Sequence, residues 1–262
     1  MNPGFRFTPA MNARRTIEVC VDSVDSALAA ARGGADRLEL CAALGEGGLT
    51  PTAGLMEVVR QKVSLPIAAM IRPRAGDFCY DADEFEIMRR DLALLKRLGA
   101  DMIVFGILAP DGSVDRARAA QLIAEARPLP VTFHRAFDVA LDSRAALETL
   151  VELGVERVLT SGQEKSVLEG LELVTELVRV AGDRIIVVPG GGITERNLPR
   201  ILRECGAREF HVSASATRDS RMVHRNTRVP MGRVLAASEF SVSVADAGRV
   251  QKFRGLADGL SA

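Results

Sequence analysis

The sequence predicts an α/β fold, a single TIM-type (β/α)8 barrel with a C-terminal extension. Two observations support this prediction: the length of 262 residues, and a passage that recurs along the chain, in which a helix end, a glycine and a polar pair precede a new strand. The passage reads ARGGADRLEL, LKRLGADMIVF, LVELGVERVLTS and LRECGAREFHVSA. A glycine after a helix suits a left-handed C-cap, and repeated strand–helix units form a parallel sheet with helices outside.

Eight strands with helices in most of the gaps are predicted in chain order. The strands are Ile17–Asp22, Arg37–Cys41, Ile67–Pro73, Met102–Leu108, Pro130–Arg135, Arg157–Ser161, Ile185–Gly190 and Glu209–Ala214. The helices are Val24–Arg32, Thr52–Lys62, Ala82–Leu98, Arg116–Ala126, Ser143–Leu153, Val167–Ala181 and Glu195–Glu204. A doubly wound open sheet is the alternative, but no glycine-rich dinucleotide turn follows the first strand.

We expect one domain over residues 16–262, because no linker or shift in composition divides it. Residues 1–15 are predicted to be a flexible N-terminal extension, with a transit peptide as the alternative. The C-terminal part holds an extra strand at Phe240–Val244 and a final helix near Ala245–Leu260. Between them and the barrel, Thr217–Arg233 is basic and irregular, and it suits a lid, an interface arm or a simple loop.

Composition excludes several classes of partner. The chain has 34 basic and 34 acidic side chains, no tryptophan and one tyrosine, so we expect neither nucleic-acid binding nor attraction to an anionic membrane. No apolar run reaches the roughly 18 residues of a spanning helix. The four cysteines do not have the density of a disulfide scaffold, which favours reduced thiols and a cytoplasmic location.

Strand alternation predicts a polar barrel interior where a structural barrel would hold aliphatic residues. The expected inward side chains are Glu18, Cys20, Asp22, Glu39, Cys41, Met70, Arg72, Arg74, Thr132, His134, His211 and Ser213. Acids, thiols, an arginine and two of the three histidines would thus meet at the carboxyl ends of the strands. This set indicates a functional site, although a satisfied polar network without chemistry is the alternative.

Two of the cysteines are candidate metal ligands. EVC and ELC suggest equivalent positions for Cys20 and Cys41 on adjacent strands, which lie about 4.8 Å apart. Two soft thiolates favour Cu(I), and a nearby histidine or Met70 would suit it too. No CxxC or HxxxH spacing supports a closed zinc site. Both cysteines could instead be small buried hydrophobic residues.

The loop VPGGGITERN predicts an anion site after the seventh strand. Gly190, Gly191 and Gly192 would let backbone amides approach an anion, and Ser213 from the eighth strand would add a hydroxyl. In barrels of this kind the loops after strands seven and eight often bind phosphate. A tight turn without a ligand is the alternative.

Four residues are candidates for a catalytic role: Glu18, Glu39, Arg72 and His134. His134 can titrate near neutrality, and either glutamate could act with it; a buried histidine fixed by a carboxylate is the alternative for His134. Arg72 could orient an anionic ligand, or it could be paired with Glu18, Glu39 or Asp77. No GxSxG or similar nucleophile motif is present, so no reaction follows from the residues.

The chain resembles the CutC family, which is named for copper homeostasis. The resemblance runs from Glu18 to about Asn226 and rests on EVCVDS, GGADRLELC, GGLTPT, MIRPRAGDF, GADMIVFG, PVTFHRAFD, RVLTSG, PGGGI and EFHVSA. It implies a TIM-type barrel, a cytoplasmic location that extends to the nucleus in eukaryotes, a homo-oligomer (dimer or tetramer) and a role in copper handling. The cysteines proposed as copper ligands in that family match Cys20 and Cys41.

Two hypotheses for the function follow, beside the simpler alternative of a structural or partner-binding barrel that uses Thr217–Arg233 as an arm. The first is a Cu(I)-binding protein with Cys20 and Cys41 as ligands, which stores or distributes copper. The second is an enzyme that acts on a small anionic or phosphorylated substrate at the barrel mouth.

Overall fold

The computed structural model describes residues 14–228 and 241–259, and it confirms the predicted (β/α)8 barrel. The eight barrel strands are β1 (Thr16–Val21), β2 (Arg37–Leu40), β3 (Ile67–Met70), β4 (Met102–Phe105), β5 (Val131–Phe133), β6 (Arg157–Thr160), β7 (Ile186–Pro189) and β8 (Glu209–Val212). They are parallel and follow the order β7-β6-β5-β4-β3-β2-β1-β8. One bridge between Gly190 and His211 joins the two ends of this sheet and nearly closes the barrel.

Seven helices surround the strands: α1 (Val24–Arg32), α2 (Ala53–Lys62), α3 (Ala82–Arg97), α4 (Arg116–Ala126), α5 (Ser143–Glu152), α6 (Leu171–Ala181) and α7 (Leu198–Glu204). Side-chain caps fix several starts; Thr52 accepts from Leu55 N–H, and Asp81 forms a capping box with Glu84. None of the helices in the described ranges has the length and hydropathy that a membrane crossing requires.

The strands are shorter at their carboxyl ends than the sequence predicts. β3 ends at Met70 and β4 at Phe105, because the chain leaves the ladder there to form the loops of the barrel mouth. The predicted start of the seventh helix at Glu195 is wrong: α7 begins at Leu198, after a turn in which Asn197 accepts from Thr194 N–H.

The outward row of each strand packs under the helices into one large core, with Ile17, Leu38 and Phe133 fully buried. A second, smaller cluster fills part of the barrel interior and comprises Cys41, Ala68, Met70, Met102 and Val104. Alternation therefore separates the two faces as the sequence pattern indicates. The remaining interior is polar, and it forms the site described below.

The C-terminal part joins the barrel. β9 (Ser215–Asp219) and β10 (Ser241–Ala245) pair as an antiparallel ribbon, so the prediction that Thr217–Arg233 is irregular is wrong for its first three residues. Residues 229–233 and Phe240 lie outside the described residues. The final helix, α8 (Ala247–Gly259), buries Val250, Phe253 and Ala257.

Residues 1–13 of the predicted N-terminal extension also lie outside the described residues. The last two residues of that range contact the barrel. Arg14 forms an ion pair with Asp36 at 3.0 Å, and Arg15 donates to the carbonyl oxygen of Ala257 at 3.0 Å.

Candidate functional site

A cavity of about 680 Å³ opens at the carboxyl ends of the barrel strands. Eight residues that alternation places inward line it: Cys20, Asp22, Glu39, Met70, Arg72, His134, His211 and Ser213. Gly191 and Gly192 of the glycine-rich loop line it as well. A cavity of this size is typical of sites for small organic ligands and is much larger than a metal ion.

Other predicted residues lie around this cavity or away from it. Glu18 and Thr132 are buried among the interior residues, and Cys41 is fully buried in the interior cluster. Arg74 is the exception, because it pairs with Asp77 and Glu84 outside the barrel.

A buried ion-pair network lies in the barrel interior around Glu18. Arg37 donates from Nε to Glu18 Oε2 at 2.5 Å and from an Nη to Glu209 Oε2 at 2.8 Å. Arg157 reaches the same Glu209 oxygen from Nε at 2.9 Å. The sequence analysis missed Arg37 and Glu209, although alternation extended back from Glu39 and His211 would have placed both inward.

His211 connects this network to the cavity. Its Nδ1 lies 2.7 Å from Glu18 Oε1, and its Nε2 lies 3.8 Å from Glu39 Oε2. Burial lowers the pKa of His211, but the acidic groups of Glu39, Cys20 and Glu18 overcome this and raise it well above its usual value. Burial would raise the pKa of Glu18, yet Arg37 and His211 lower it to about 2.

The pKa of Glu39 shifts in the opposite direction to that of Glu18. Burial raises the pKa of Glu39, helped by the charge of Glu18 and opposed by His211. One ligand atom each from Glu18, Glu39 and His211 lies within 4.8 Å of the others, which makes them a possible metal-binding group among the described residues. Arg37 offsets the negative charge of Glu18, and His211 lies beside Glu39. Neighbouring basic side chains therefore balance the acidic charge of this group.

The two cysteines are not at equivalent positions. Cys20 lies opposite Glu39 in the ladder between β1 and β2. The hydrogen bond from Cys41 N–H to Val21 O, at 2.9 Å, keeps the same register and places Cys41 two residues further on. With about 3.3 Å per residue and about 4.8 Å between strands, the two Cα atoms lie about 8 Å apart. The expectation of equivalent positions is therefore wrong, because EVC and ELC align in sequence and not in the sheet.

The thiols also differ in environment. Cys20 is partly exposed and interacts with His211, while Cys41 has no exposed surface and donates to Glu39 Oε2 at 3.4 Å. Burial raises the pKa of Cys41 well above its usual value, and the nearby acidic groups of Glu39 and Cys20 add to this. Met70 packs in the same interior cluster as Cys41. Two thiols, a thioether and an imidazole are thus gathered on one side of the interior.

The wall of the cavity beyond the ends of β3 and β5 is basic and aromatic. Arg72 is 6% exposed, and its guanidinium lies over the ring of Phe78, 4.9 Å from the centroid. His134 contacts the same phenylalanine, and the ring centroids of His134 and Phe78 lie 5.0 Å apart. Burial and the charge of Arg72 lower the pKa of His134 to about 3. The titration near neutrality expected of His134 is therefore not found, and the ring is neutral.

None of the three carboxylates considered for Arg72 pairs with it. Arg72 donates to the backbone carbonyls of Glu46, Gly48 and Gly76 at 2.8, 3.1 and 3.0 Å. Glu18 pairs with Arg37, and Asp77 pairs with Arg74. Arg72 thus joins two loops of the barrel mouth.

The glycine-rich loop lies at the mouth, but the N–H of its first glycine already donates a hydrogen bond within the barrel. Gly190 donates to Thr160 O at 2.9 Å, and a Cβ there would meet Leu159 and His211. Gly191 and Gly192 have φ of 114° and 68°, which favours glycine. α7 starts only at Leu198, six residues after Gly192, so its N-terminus does not directly follow these glycines. Ser213 is exposed at the same mouth.

Several lining residues have no signal in the sequence. Arg135 and Arg249 reach the mouth while paired with Asp138 and Glu195, and β10 contributes Ser243 and Val244. The β10 residues come from a segment more than 200 positions away from β1, so only the folded chain brings them to the cavity.

Comparisons with known proteins place this architecture among its relatives. The model of the CutC family matches residues 15–216. A human protein named copper homeostasis protein cutC homolog is 56% identical over 241 residues, covering 92% of this chain and 88% of the relative. A protein of the same name from Dictyostelium discoideum is 40% identical over 265 residues, covering 90% of this chain and 95% of the relative.

Solved structures give the same picture of the fold. A crystal structure of a proposed copper homeostasis protein CutC from Streptococcus agalactiae has a TM-score of 0.72 at 32% identity, covering 75% of this chain and 97% of that one. Phosphoribosylanthranilate isomerase from Thermotoga maritima has a TM-score of 0.56 at 11% identity, covering 94% of this chain and 99% of the other. The second likeness shows the barrel fold alone.

Proposed function

We propose, since this chain belongs to the CutC family, that it takes part in copper homeostasis and carries Cu(I) as its cargo on Cys20 and Cys41. The observation that supports this most is the gathering of soft donors on one side of the barrel interior. Cys20 opens to the cavity beside His211, and Cys41 packs with Met70 in the buried interior cluster. Thiolate, thioether and imidazole are the ligands that suit Cu(I).

The spacing of the two cysteines agrees with a shared ion. Cα atoms about 8 Å apart are too distant for a disulfide, whose limit is about 7 Å. Two inward thiols can still approach one metal between them, since each metal–sulfur bond adds about 2.3 Å. Incoming copper would meet the partly exposed Cys20 first and would displace the thiol proton of Cys41 when the second bond forms.

A Cu(I) titration under reducing, oxygen-free conditions tests the proposal. A chromophoric Cu(I) chelator competes with the protein, and we expect about one ion per chain, since one pair of thiolates is available. The Cys20→Ser, Cys41→Ser double variant is expected to lose this ion. Cys79→Ser is the matched control, because Cys79 is also partly exposed but lies outside the cavity. Unchanged stoichiometry in the double variant would remove these two ligands from the proposal.

A second function is favoured by the cavity volume. The 680 Å³ mouth holds a small organic molecule, and its lining includes Arg72, Ser213 and two flexible-backbone glycines. We therefore keep an enzyme acting on a small anionic substrate as the second candidate. Glu39 and Glu18 would be its acid–base groups, while His134, being neutral, would donate a hydrogen bond. Stabilisation of the protein by anionic metabolites in a thermal-shift screen tests this candidate.

The location and assembly implied by the family belong to the same proposal. We propose a cytoplasmic protein that forms a homo-oligomer. Light scattering of the purified full chain measures the assembly directly, and a monomer at micromolar concentration would contradict that part.

A further inference from the structure

We propose that Arg72 and His134 form a binding subsite for the oxyanion group, a carboxylate or a phosphate, of a small ligand that fills the barrel mouth. This inference is independent of copper binding. It deepens the second candidate function, on which it rests, by assigning the anion to the β3–β5 side of the cavity and not to the glycine-rich loop.

Arg72 is a buried cationic side chain without an acidic partner among the described residues. The guanidinium is 6% exposed and lines the cavity, yet it pairs with no carboxylate in residues 14–228 and 241–259. It contacts three carbonyl oxygens and the face of Phe78, and it interacts with the hydroxyl of Tyr80. Other buried arginines of this barrel have acidic partners; Arg37, for example, contacts both Glu18 and Glu209. A buried cation without a counterion is costly, and an anion in the cavity would offset that cost.

The two ring nitrogens of His134 differ in their partners. Its Nδ1 accepts the backbone N–H of Ala136 at 3.1 Å, so the ring proton lies on Nε2. This Nε2–H is buried and has no partner within the described part of the chain. The whole residue is 4% exposed and lines the cavity. Buried donors are nearly always satisfied, so an unsatisfied one at a cavity wall indicates an acceptor from a ligand.

The sequence around His134 holds the ring in this position. A Cβ at Gly106 would lie 2.5 Å from the His134 ring, so only glycine at that position lets the ring pack against β4. Thr132, two residues earlier on the same inward face, also has a buried hydroxyl without a partner among the described residues. Both unsatisfied groups of β5 therefore face the barrel interior.

The charge on the two walls orients the ligand. The carboxyl groups of Glu39 and Asp22 lie on the β1–β2 side and disfavour an anion there, whereas Arg72 and the Nε2–H of His134 attract it from the β3–β5 side. The ring of Phe78 lies against both donors, lines the cavity and gives the ligand an apolar surface. A purely structural role for Arg72, in which it joins two loops, would explain its hydrogen bonds to backbone carbonyls. It would not explain why the Nε2–H of His134 has no acceptor among the described residues.

The test uses the full chain, without metal, and two probes: inorganic phosphate and malonate, with chloride at matched ionic strength as the blank. Nitrogen NMR of protein labelled at histidine follows the ring of His134, which is one of only three histidines. We expect saturable binding of at least one probe and a shift of the His134 Nε2 resonance. The stronger probe then tells a phosphate subsite from a carboxylate subsite.

Variants decide where the anion binds. We expect His134→Phe to weaken binding by about tenfold or more, and His134→Gln, which keeps an N–H donor, to weaken it less. Arg72→Gln should do at least as much as His134→Phe, while Arg90→Gln, at an exposed helix position, should do nothing. Circular dichroism identifies any variant that does not fold, and the conclusion then rests on His134→Phe.

Two results would overturn the inference. Unchanged affinity in His134→Phe, with binding lost in Ser213→Ala, would move the anion to the glycine-rich loop and leave the second candidate function standing. Absence of saturable binding by both probes would remove the subsite, while the second candidate function is decided separately by its thermal-shift screen. Neither result touches the copper proposal, which has its own titration and its own cysteine variants.

Discussion

Cys41 lies two residues further along the parallel ladder than Cys20, which leaves Cys20 opposite Glu39. A barrel closes only when its strands are staggered, and this stagger displaces residues that look equivalent in neighbouring strand sequences. The consequence is a pair of thiols at different heights along the barrel, with Cys20 partly exposed and Cys41 buried. Their chemistry should differ accordingly.

The first prediction is that Cys20 and Cys41 do not form a disulfide with each other. Their Cα atoms, about 8 Å apart, exceed the roughly 7 Å limit for a disulfide without backbone movement. After treatment with diamide, peptide mass mapping should find no Cys20–Cys41 link. A high yield of that link would mean that the strand ends move by several ångströms.

The same geometry predicts unequal thiol reactivity in the folded protein. Cys20 should react with a thiol reagent at least roughly tenfold faster than Cys41, which has no exposed surface and whose thiolate is disfavoured by burial. Quenched alkylation followed by mass spectrometry measures both rates. Cys205, buried on the helix side of the barrel, serves as the slow reference, and equal rates at all three positions would contradict the burial of Cys41.

Much of this site follows from strand alternation alone. Cys20, Glu39, Met70, His134 and His211 were each assigned to the inward face, and all five line the cavity. The period of two in a strand is fixed by backbone geometry, so the sequence determines the face without reference to neighbouring strands.

Alternation determines neither the register between neighbouring strands nor the contacts between distant parts of the chain. The relative height of Cys20 and Cys41 depends on the stagger of the whole barrel. The partners of Arg72 are backbone carbonyls of two loops, which carry no residue-type signal. The inward position of Arg37, in contrast, was predictable, because alternation extended back from Glu39 places Arg37 on the same face.

Removing one charge from the ion-pair network should be costly. Glu18→Gln leaves Arg37 and His211 without their shared partner inside the barrel, and breaking a buried pair in this way costs about 3–5 kcal/mol of the free energy of unfolding. Urea unfolding followed by circular dichroism measures the loss. Arg90→Gln removes an exposed pair with Glu86 and should change stability by less than about 0.5 kcal/mol. Equal effects of the two substitutions would contradict the buried network.

The neutral state of His134 predicts how stability varies with pH. Its pKa of about 3 in the folded chain lies below the ordinary value of 6.5, so the unfolded chain binds the proton first as the pH falls. The contribution of the neutral ring is fully present above about pH 6.5 and is lost progressively toward pH 3. At about 1.4 kcal/mol per pH unit, His134 should account for about 2 kcal/mol of the stability lost between pH 7.5 and about pH 5.

Urea unfolding at several pH values measures this contribution. The His134→Gln variant should lose less stability than the wild type over that interval, whatever its stability at pH 7.5. His224→Gln is the control, because the side chain of His224 is exposed, and its curve should run parallel to that of the wild type. A His134→Gln curve parallel to the wild type would mean that His134 is charged or solvated in the folded chain.

The last prediction concerns the attachment of α8 to the barrel. A Cβ at Gly33 would lie 2.4 Å from Val250 Cβ and 2.7 Å from the carbonyl oxygen of Ala247, so the end of α1 and the start of α8 are in direct contact. The φ of Gly33 is −77°, which alanine adopts without strain, so Gly33→Ala tests the contact alone. We expect a loss of about 1–3 kcal/mol from overpacking. Gly54→Ala, in α2 with nothing within 4 Å of the added Cβ, should instead be neutral or slightly stabilising. If Gly33→Ala unfolds at the same urea concentration as Gly54→Ala, α8 does not pack on α1 in solution, and the C-terminal segment is not part of the barrel domain.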